Sequence, residues 1–374
     1  MPFFKRGRGQ DKASTDAEHE QLANETQPPT NRKSDYSFPV KQPSRGRGQE
    51  YIDEDAYDVE DTDANAHAPK AGITSKKGPD GDYSLYVDGE PLYIVSQKRG
   101  YFSILFSATQ TVIMISMMIK CGIAPLSINP MVGPYPDALS YWGGKNAYDI
   151  LYNDEYWRLF SPILLHAGLF HLVCNIGVQL DTGAFFEREW GSFIWLLVYL
   201  GSAASGTIFS VIVSPNSIGV GSSSSVCGLF GAKVAESICR CRESTKSDYK
   251  ELSHHILCEQ FGSTLCSVIL VLVFSFIPYV DWAAHVGGLM GGFLVGMMIF
   301  SLRIKTRNWK IGMFSFGFLF TFLYFATGVF HMIKITKDGV AEELEDVCGY
   351  YIEIFGDEYK CNCMLARHQE DGGD

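Results

Sequence analysis

Long hydrophobic runs are absent from about the first 80 residues of this 374-residue chain. The region repeats RGRGQ at residues 6–10 and 45–49 and then continues into the acidic run EYIDEDAYDVEDTDA. A segment of this composition cannot bury enough apolar surface to offset the loss of chain entropy on folding. We therefore predict that residues 1–95 form a disordered tail.

An excess of basic charge is also absent, because the formal net charge of the chain is -11. The two RGRG copies could contact RNA or acidic lipid, but the acidic block beside them favours a solvated linker. The charge balance argues against a nucleic-acid partner. The ten cysteines are not spaced as zinc ligands over most of the chain. We therefore expect no nucleic acid, no metal and no cofactor.

The chain contains seven apolar segments after residue 100. Each is close in length to the roughly 20 residues that are needed to cross a bilayer. They lie at about residues 101–120, 161–179, 192–213, 221–238, 264–280, 283–302 and 311–333. This pattern predicts an all-α polytopic membrane protein embedded in the lipid bilayer. Segment 221–238 is rich in serine and glycine and segment 264–280 is short, so we expect both to lie inside the helix bundle.

The distribution of basic residues predicts the orientation of these spans. Lys98 and Arg99 precede the first span, CRCRESTKSDYK follows the fourth, and RIKTRNWK follows the sixth. All three clusters lie on one side of a seven-span protein whose N-terminus is cytosolic. Three lysines on the other side oppose this assignment: Lys120, Lys334 and Lys337. The first apolar run begins near Tyr101, too deep for a signal peptide, so we expect the first span to act as its own signal.

We accordingly predict a multi-pass protein of the secretory pathway or plasma membrane. Loop 121–160 and the acidic tail 336–374 then face the lumen or the exterior, where disulfides can form. Four cysteines fall on that side: Cys121, Cys348, Cys361 and Cys363. One or two disulfides of undetermined connectivity, or four free thiols, are both compatible with this pattern.

Polar residues inside the spans indicate a functional site, because burying them in lipid is costly. His171 and Asn175 in the second span are four residues apart and share one helical face, with His166 just above them. His285 lies near the start of the sixth span, and the serines of GSSSSVCGL at residues 221–229 open the fourth. In the predicted orientation both lie near the same membrane face, so a serine hydroxyl and an imidazole can meet there.

Small residues on the fourth and sixth spans predict close helix packing. The sixth span carries Gly288, Gly292 and Gly296, which form two overlapping GxxxG motifs. The fourth span has its own small face: Ser224, Gly228, Ala232 and Ala235. We expect these two helices to pack with their backbones nearly touching, and the GSAASG segment of the third span to join them.

A serine hydroxyl beside a histidine is the minimum for an activated nucleophile. We expect no Asp or Glu within the spans to complete a triad, so the sequence predicts a two-residue device. His171 and Asn175 can donate to the oxyanion that forms when serine attacks a carbonyl, an effect of about 2.7–4 kcal/mol per donor. These groups together point to acyl-transfer chemistry.

Several separated motifs resemble, in the same order, those of the rhomboid family of intramembrane serine proteases. They are EYWR at 155–158, HAGLFHLVCN at 166–175, GSSSSVCGL at 221–229 and AHVGG at 284–288, followed by GxxxG. The resemblance covers about residues 101–333. It implies a rhomboid-like six-helix bundle plus one extra C-terminal transmembrane helix, with the protease domain at 96–335 and the acidic tail at 336–374.

Carried over residue by residue, the resemblance implies that Ser223 is the nucleophile and His285 is the general base. It assigns His171 and Asn175, together with the Ser223 backbone N–H, to the oxyanion hole, and gives His166 a structural role. The implied substrates are single-span transmembrane proteins, cut near the lumenal or outer end of their helix. The neighbouring serines are expected to draw water below the membrane surface for hydrolysis.

Two residues depart from the family pattern. Ser224 stands where the family usually has glycine, which adds a Cβ and a hydroxyl close to the oxyanion site. Cys227 stands where an aromatic residue commonly stacks on the catalytic histidine. Loss of that ring implies slower turnover or another aromatic residue in its place.

Two other functions remain open at this stage. A catalytically impaired rhomboid-like protein would use the same fold to bind or traffic membrane clients, but such relatives typically lose the serine or the histidine, and both are present here. A transporter or channel also combines Gly-rich helices with buried polar groups. Against that reading, the polar groups here cluster toward one membrane face and no inverted repeat is visible.

Overall fold

The computed structural model describes residues 73–77, 83–87, 90–91, 97, 99–244, 250–275, 280–361 and 363. Most of the predicted disordered tail at 1–95 therefore lies outside the described residues. The same is true of residues 276–279, at the end of the predicted span 264–280.

The protein is an all-α polytopic membrane protein, as the sequence predicts. In chain order the helices are α1 (Tyr101–Cys121), α2 (Pro136–Tyr141), α3 (Ala147–Tyr152), α4 (Leu169–Val178), α5 (Ala184–Trp190), α6 (Ser192–Val213), α7 (Ser223–Ser244), α8 (Lys250–Phe274), α9 (Trp282–Ser301), α10 (Arg307–His331) and α11 (Val347–Phe355). A π-helical turn at Gln179–Gly183 joins α4 to α5, so these two helices form one continuous span.

Within the described ranges, five helical stretches are long and apolar enough to cross a bilayer. They are Tyr101–Cys121, Leu169–Trp190, Ser192–Val213, Trp282–Ser301 and Arg307–Gly339. The other two predicted spans correspond to α7, which carries several charged residues, and α8, whose apolar part Leu257–Val273 is shorter. The sequence analysis placed both segments inside the bundle. Most residues in the first half of α7 are buried, as predicted, but Leu265, Ile269 and Val273 of α8 are exposed, so the prediction was wrong for α8. The seven helices thus form a six-helix bundle with α10 added at its periphery.

Several predicted span boundaries were wrong, and for two of them the backbone gives the reason. The second span was predicted from residue 161, but Pro162 lies in a 3-10 turn and the helix begins at Leu169. The fourth was predicted from residue 221, but Gly221 has φ +128°, which is incompatible with a right-handed helix. The fifth was predicted over 264–280, whereas α8 begins at Lys250.

A small antiparallel sheet was not predicted from the sequence. Strands β1 (Ile73–Lys77), β2 (Tyr83–Val87) and β3 (Glu90–Pro91) lie in the region that the sequence analysis assigned to the tail. Ile73 pairs with Val87 and Lys77 with Tyr83, and β2 then pairs with β3. Within this region ITSKK and YSLYV alternate only weakly, which explains why no strand was recognised.

Glycines bring α7 and α9 into backbone contact, which confirms the prediction from the small-residue spacing. A Cβ added to Gly288 would overlap the Ser224 backbone, and one added to Gly292 would overlap Gly228. A Cβ at Gly296 would lie 2.8 Å from the Ala232 Cα. Side chains therefore do not separate these two helices, and their N-terminal residues meet at one end of the bundle.

Helix α6 joins this contact, also as predicted. The Ser205 hydroxyl donates to the Gly287 carbonyl at 2.5 Å. A Cβ on Gly206 would lie 2.7 Å from the Ala284 carbonyl oxygen. The three helices thus hold the starts of α7 and α9 in a fixed relation.

A buried charge cluster lies farther along α7. Lys233 donates to Glu189 at 2.7 Å and to Glu236 at 2.8 Å, and the Trp190 indole donates to Glu236 at 3.0 Å. Glu236 is an acidic residue within the predicted fourth span, where we expected none that could complete a triad. Its carboxylate is bonded to Lys233 and Trp190, so it acts in packing and does not complete a triad. Breaking such a buried pair is costly, about 3–5 kcal/mol.

The C-terminal tail folds against the loop between α1 and α4. Disulfides Cys121–Cys363 and Cys348–Cys361 resolve the connectivity that the sequence left open. The Tyr359 hydroxyl donates to the Asp137 carboxylate at 2.7 Å and accepts from the Asp137 backbone N–H at 2.9 Å. Loop 121–160 and the tail are therefore on the same side of the protein, as the predicted topology requires.

Candidate active site

The loop that precedes α7 depends on a glycine at residue 221. Gly221 has φ +128°, a conformation that residues with a side chain rarely adopt. A Cβ at this position would lie 2.9 Å from His171 Cε1. The Gly221 N–H donates to the Pro162 carbonyl at 2.9 Å. Glycine therefore lets the chain pass directly beside the His171 ring and begin a helix at Ser223.

The four serines have different environments. Ser222 and Ser225 are 0% exposed and Ser224 is 5% exposed, whereas Ser223 is partly exposed. The Ser222 hydroxyl donates to Asn175 Oδ1 at 3.2 Å, and that of Ser225 donates to the Tyr199 carbonyl at 2.9 Å. These bonds give Ser222 and Ser225 structural uses, in place of the water-drawing role expected from the sequence.

Ser224, one of the two departures from the family pattern, is accommodated by a glycine on α6. A Cβ on Gly206 would lie 2.7 Å from the Ser224 Cβ. The extra carbon of Ser224 therefore occupies space that Gly206 leaves open. The structure thus explains how this position tolerates a residue larger than glycine.

His285 lies in the first turn of α9. Asp281 precedes this helix, and its Oδ1 accepts the Ala284 N–H at 3.0 Å, which is a typical N-cap. The cap fixes where the helix begins and hence where the imidazole points. His285 is 7% exposed, and its Nε2 lies 2.6 Å from Ser223 Oγ. The structure brings these two candidate residues within hydrogen-bond distance.

The other ring nitrogen of His285 has a partner that the sequence analysis missed. Nδ1 lies 2.5 Å from the hydroxyl of Ser275, which follows α8 directly and is 1% exposed. A single serine in the apolar run VLVFSF carries no pattern that distinguishes it from a packing residue. Only the position of α8 against α9 makes this contact, so sequence spacing could not reveal it.

His171 and Asn175 lie on one face of α4, as predicted, and face the start of α7. His171 Nδ1 accepts the Ala167 N–H at 3.4 Å, which leaves its Nε2 as the donor on the side of Gly221. Asn175 Nδ2 donates to the His171 carbonyl at 2.9 Å. An amide nitrogen carries two hydrogens, so Asn175 can donate a second bond to a developing oxyanion.

His166 is fully buried and packs edge-on against His171, with 5.2 Å between the ring centroids. Within the part of the chain that the structure describes, neither ring nitrogen of His166 has a hydrogen-bond partner. The ring supports the orientation of His171 by contact. Its structural role remains a prediction.

A buried lysine connects the loop to the helix that carries His285. Lys145 lies between α2 and α3, and its Nζ donates to Ser210 Oγ at 2.9 Å and to the Ser214 carbonyl at 2.8 Å. Asp281 Oδ2 lies 3.9 Å from the same nitrogen. Burial lowers the pKa of Lys145 to about 8, and the Asp281 carboxylate opposes this shift. This contact ties loop 121–160 to the N-cap of α9.

Arg158 organises the loop from within. The side chain is 1% exposed, and its Nη1 donates to the carbonyls of Ser140 at 2.6 Å and Gly144 at 2.8 Å. Its other nitrogens pair with Asp149 at 2.9 Å and Glu155 at 2.5 Å. One guanidinium therefore satisfies four acceptors and holds the loop in shape beside the site.

Cys227, the second departure, lines a small apolar cavity next to the His285 ring. The cavity also contacts Phe230, Val268, Val271, Leu272 and Leu289. Phe230 is the aromatic residue of this lining, and its ring packs edge-on against Phe186, 5.9 Å between centroids. The Cys227 thiol thus stands beside a small apolar cavity at the position where the resemblance implies a stacked ring.

Comparison with known proteins identifies a family model and several relatives that this chain resembles. A family model described as Rhomboid domain matches residues 153–302, a range that contains all four candidate site residues. RHOMBOID-like protein 6, mitochondrial, of Arabidopsis thaliana is 33% identical over 180 residues, which are 48% of this chain and 55% of that protein. Rhomboid-like protease 2 of Toxoplasma gondii is 28% identical over 201 residues, which are 52% and 64% of the two chains.

One similar protein is described as inactive. Inactive RHOMBOID-like protein 8 of Arabidopsis thaliana is 29% identical over 163 residues, 44% of each chain. The chain spans about half the length of the curated relatives it matches. Similarity therefore supports the fold and the family, whereas the support for activity comes from the geometry of the site.

Proposed function

Because the chain belongs to the rhomboid family, we propose that it is an intramembrane serine endopeptidase that uses Ser223 and His285. The observation that supports this most is the 2.6 Å distance between Ser223 Oγ and His285 Nε2. A hydroxyl and an imidazole at this distance can exchange a proton, which is the requirement for activating a serine.

The proposed reaction has two stages. Ser223 Oγ forms a bond to the scissile carbonyl carbon while its proton passes to His285 Nε2. The tetrahedral intermediate then collapses as the C–N bond breaks, and His285 returns that proton to the leaving amine. In the second stage His285 takes a proton from water as the water oxygen bonds to the acyl carbon. The bond between that carbon and Ser223 Oγ then breaks, His285 returns the proton to Oγ, and the substrate fragment leaves as a carboxylic acid.

The oxyanion of each tetrahedral intermediate needs donors that are already in place. The His171 Nε2–H, the second amide hydrogen of Asn175 and the Ser223 backbone N–H are the proposed donors. His171 and Asn175 are held by bonds to Ala167 and Ser222, so they need little rearrangement during the reaction. Preorganised donors of this kind typically supply a large part of catalysis.

The proposed substrates are single-span membrane proteins, cut near the lumenal or outer end of their helix. Ser223 and His285 lie at the starts of α7 and α9, which are tied to loop 121–160 through Lys145. The disulfide Cys121–Cys363 lies on the same loop and favours an oxidising compartment. These features support a cytosolic N-terminus and a site that opens toward the lumen or exterior.

The main alternative is a catalytically impaired protein that binds or traffics membrane clients. The similarity to a protein that is named inactive supports this alternative. Against it, both members of the proposed dyad are present and within hydrogen-bond distance. The accommodation of Ser224 by Gly206 also removes one reason to expect an impaired site.

Co-expression with a panel of single-span reporters, each with its N-terminus outside, tests the proposal. We expect the intact protein to release the outer domain of at least one reporter. Ser223→Ala should abolish this release, whereas Ser224→Ala, which removes a neighbouring hydroxyl but keeps the Cβ, should retain it. Equal release by the intact protein and by Ser223→Ala, at matched expression, would contradict the proposal.

A further inference from the structure

The proposed reaction requires one particular tautomer of His285. Nε2 must carry a lone pair toward the Ser223 hydroxyl, so the ring hydrogen must be on Nδ1. A histidine that holds its hydrogen on Nε2 cannot accept the serine proton. The tautomer of His285 therefore depends on the group that faces Nδ1.

Ser275 faces Nδ1, and its own hydrogen is already directed elsewhere. The Ser275 Oγ lies 2.6 Å from the Val271 carbonyl oxygen as well as 2.5 Å from His285 Nδ1. A carbonyl oxygen cannot donate, so the hydroxyl hydrogen must lie between Ser275 and Val271. The hydroxyl can then face Nδ1 only as an acceptor, and Nδ1 must be the donor.

The remaining polar groups near the ring do not replace this contact. On α9, Asp281 caps the helix through the Ala284 N–H and accepts from Ser210. On α4, His171 faces Gly221. On α7, Cys227 lines the apolar cavity that His285 also lines. Among the described residues, Ser275 is thus the group that the structure pairs with Nδ1.

From this geometry, and resting on the proposed function, we propose that Ser275 is a positioning residue for His285. Its hydroxyl accepts the Nδ1–H, which fixes the tautomer that can receive the Ser223 proton. It also anchors an imidazole that no stacked ring holds at position 227. The hydrogen-bonded chain runs from Ser223 through His285 and Ser275 to the Val271 carbonyl at the end of α8.

This arrangement differs from a triad with a carboxylate. A neutral hydroxyl orients the ring and selects its tautomer, but it offers little charge to stabilise the imidazolium that forms during attack. Ser275 should therefore affect the rate of the chemical steps more than the binding of substrate. Because Ser275 follows α8 and His285 lies on α9, activity should also depend on how these two helices are positioned relative to each other.

Kinetic measurement of three variants tests this role. Ser275→Ala removes the acceptor, and we expect kcat to fall by about tenfold to a hundredfold, with KM little changed. Ser275→Thr keeps the hydroxyl and should recover most of the activity. The matched control is Ser267→Ala in α8. The Ser267 hydroxyl donates to the Ser263 carbonyl at 3.0 Å, and this variant should turn over normally. A value of kcat for Ser275→Ala equal to that of Ser267→Ala would overturn the proposal.

A second measurement does not depend on catalysis. In protein labelled with 15N-histidine, the nitrogen chemical shifts distinguish an Nδ1–H ring from an Nε2–H ring. The His285 signals are identified as those that are missing from the spectrum of the His285→Gln variant. We expect the Nδ1–H form in the intact protein and a shift toward the other form in Ser275→Ala. The Nε2–H form in the intact protein would overturn the inference about Ser275, whether or not reporters are cleaved. Loss of reporter cleavage with the Nδ1–H form present would instead contradict the proposed function alone.

Discussion

Ser223 Oγ and His285 Nε2 lie 2.6 Å apart, although the two residues are 62 positions apart in the chain. Each is in the first turn of its helix, and the two helices touch through glycine backbones at Gly288 and Gly292. The contact between the hydroxyl and the imidazole is therefore a consequence of helix packing. Substitutions that separate the helices should affect the site as strongly as substitutions within it.

The first prediction concerns the oxyanion donors. His171→Ala and Asn175→Ala should each lower turnover by roughly tenfold to a thousandfold, because a donor to the developing charge is lost. Labelling of Ser223 by a serine-directed fluorophosphonate should persist, since the nucleophile and base remain. His331→Ala, which removes a histidine from the end of α10, serves as the control. Normal turnover in both oxyanion variants would show that this face of α4 acts only in packing.

The second prediction concerns the glycine contact. Gly292→Ala places a Cβ into the Gly228 backbone and should reduce the free energy of unfolding by about 1–3 kcal/mol. Gly312→Ala is the matched control, because a Cβ at Gly312 meets no atom within 4 Å. Thermal unfolding of both variants in detergent checks the difference. Equal melting temperatures for the two would mean that α7 and α9 do not pack as closely as described.

The small-residue spacing was enough to predict the contact of α6, α7 and α9, since it depends on a regular helical repeat. The same repeat placed His171 and Asn175 on one face. The contact between Ser275 and His285 could not be predicted, because it depends on how two separate helices are placed. Gly221 is a third case. It adopts a positive φ and passes beside the His171 ring, and no periodic pattern in the sequence marks either feature.

The third prediction concerns the disulfides. Mass spectrometry of unreduced peptides should find Cys121 linked to Cys363 and Cys348 linked to Cys361. Cys363→Ser should lower stability by about 2–4 kcal/mol, because the bond closes a long loop. Cys174→Ser, which changes an exposed free cysteine, should have little effect. Alkylation of all four paired cysteines without reductant, in protein from an oxidising compartment, would show that the bonds do not form.

The fourth prediction concerns the substrate. A peptide bond inside an α-helix is shielded by its own hydrogen bonds, so the substrate helix must open before Ser223 can reach a carbonyl. We expect cleaved substrates to carry Gly, Ala, Ser or Pro in the outer part of the span. Replacing those residues by Leu in a cleaved reporter should protect it. If the Leu version were cut equally fast, local unwinding would not be the selecting step.

The proposed dyad is tested most directly by labelling the protein with a fluorophosphonate in membranes and mapping the modified residue by mass spectrometry. We expect the phosphonyl group on Ser223 Oγ. We also expect His285→Ala to label far more slowly, because the general base is gone, and Ser224→Ala to label like the intact protein. Attachment at another serine, or undiminished labelling of Ser223→Ala or His285→Ala, would contradict a dyad formed by Ser223 and His285.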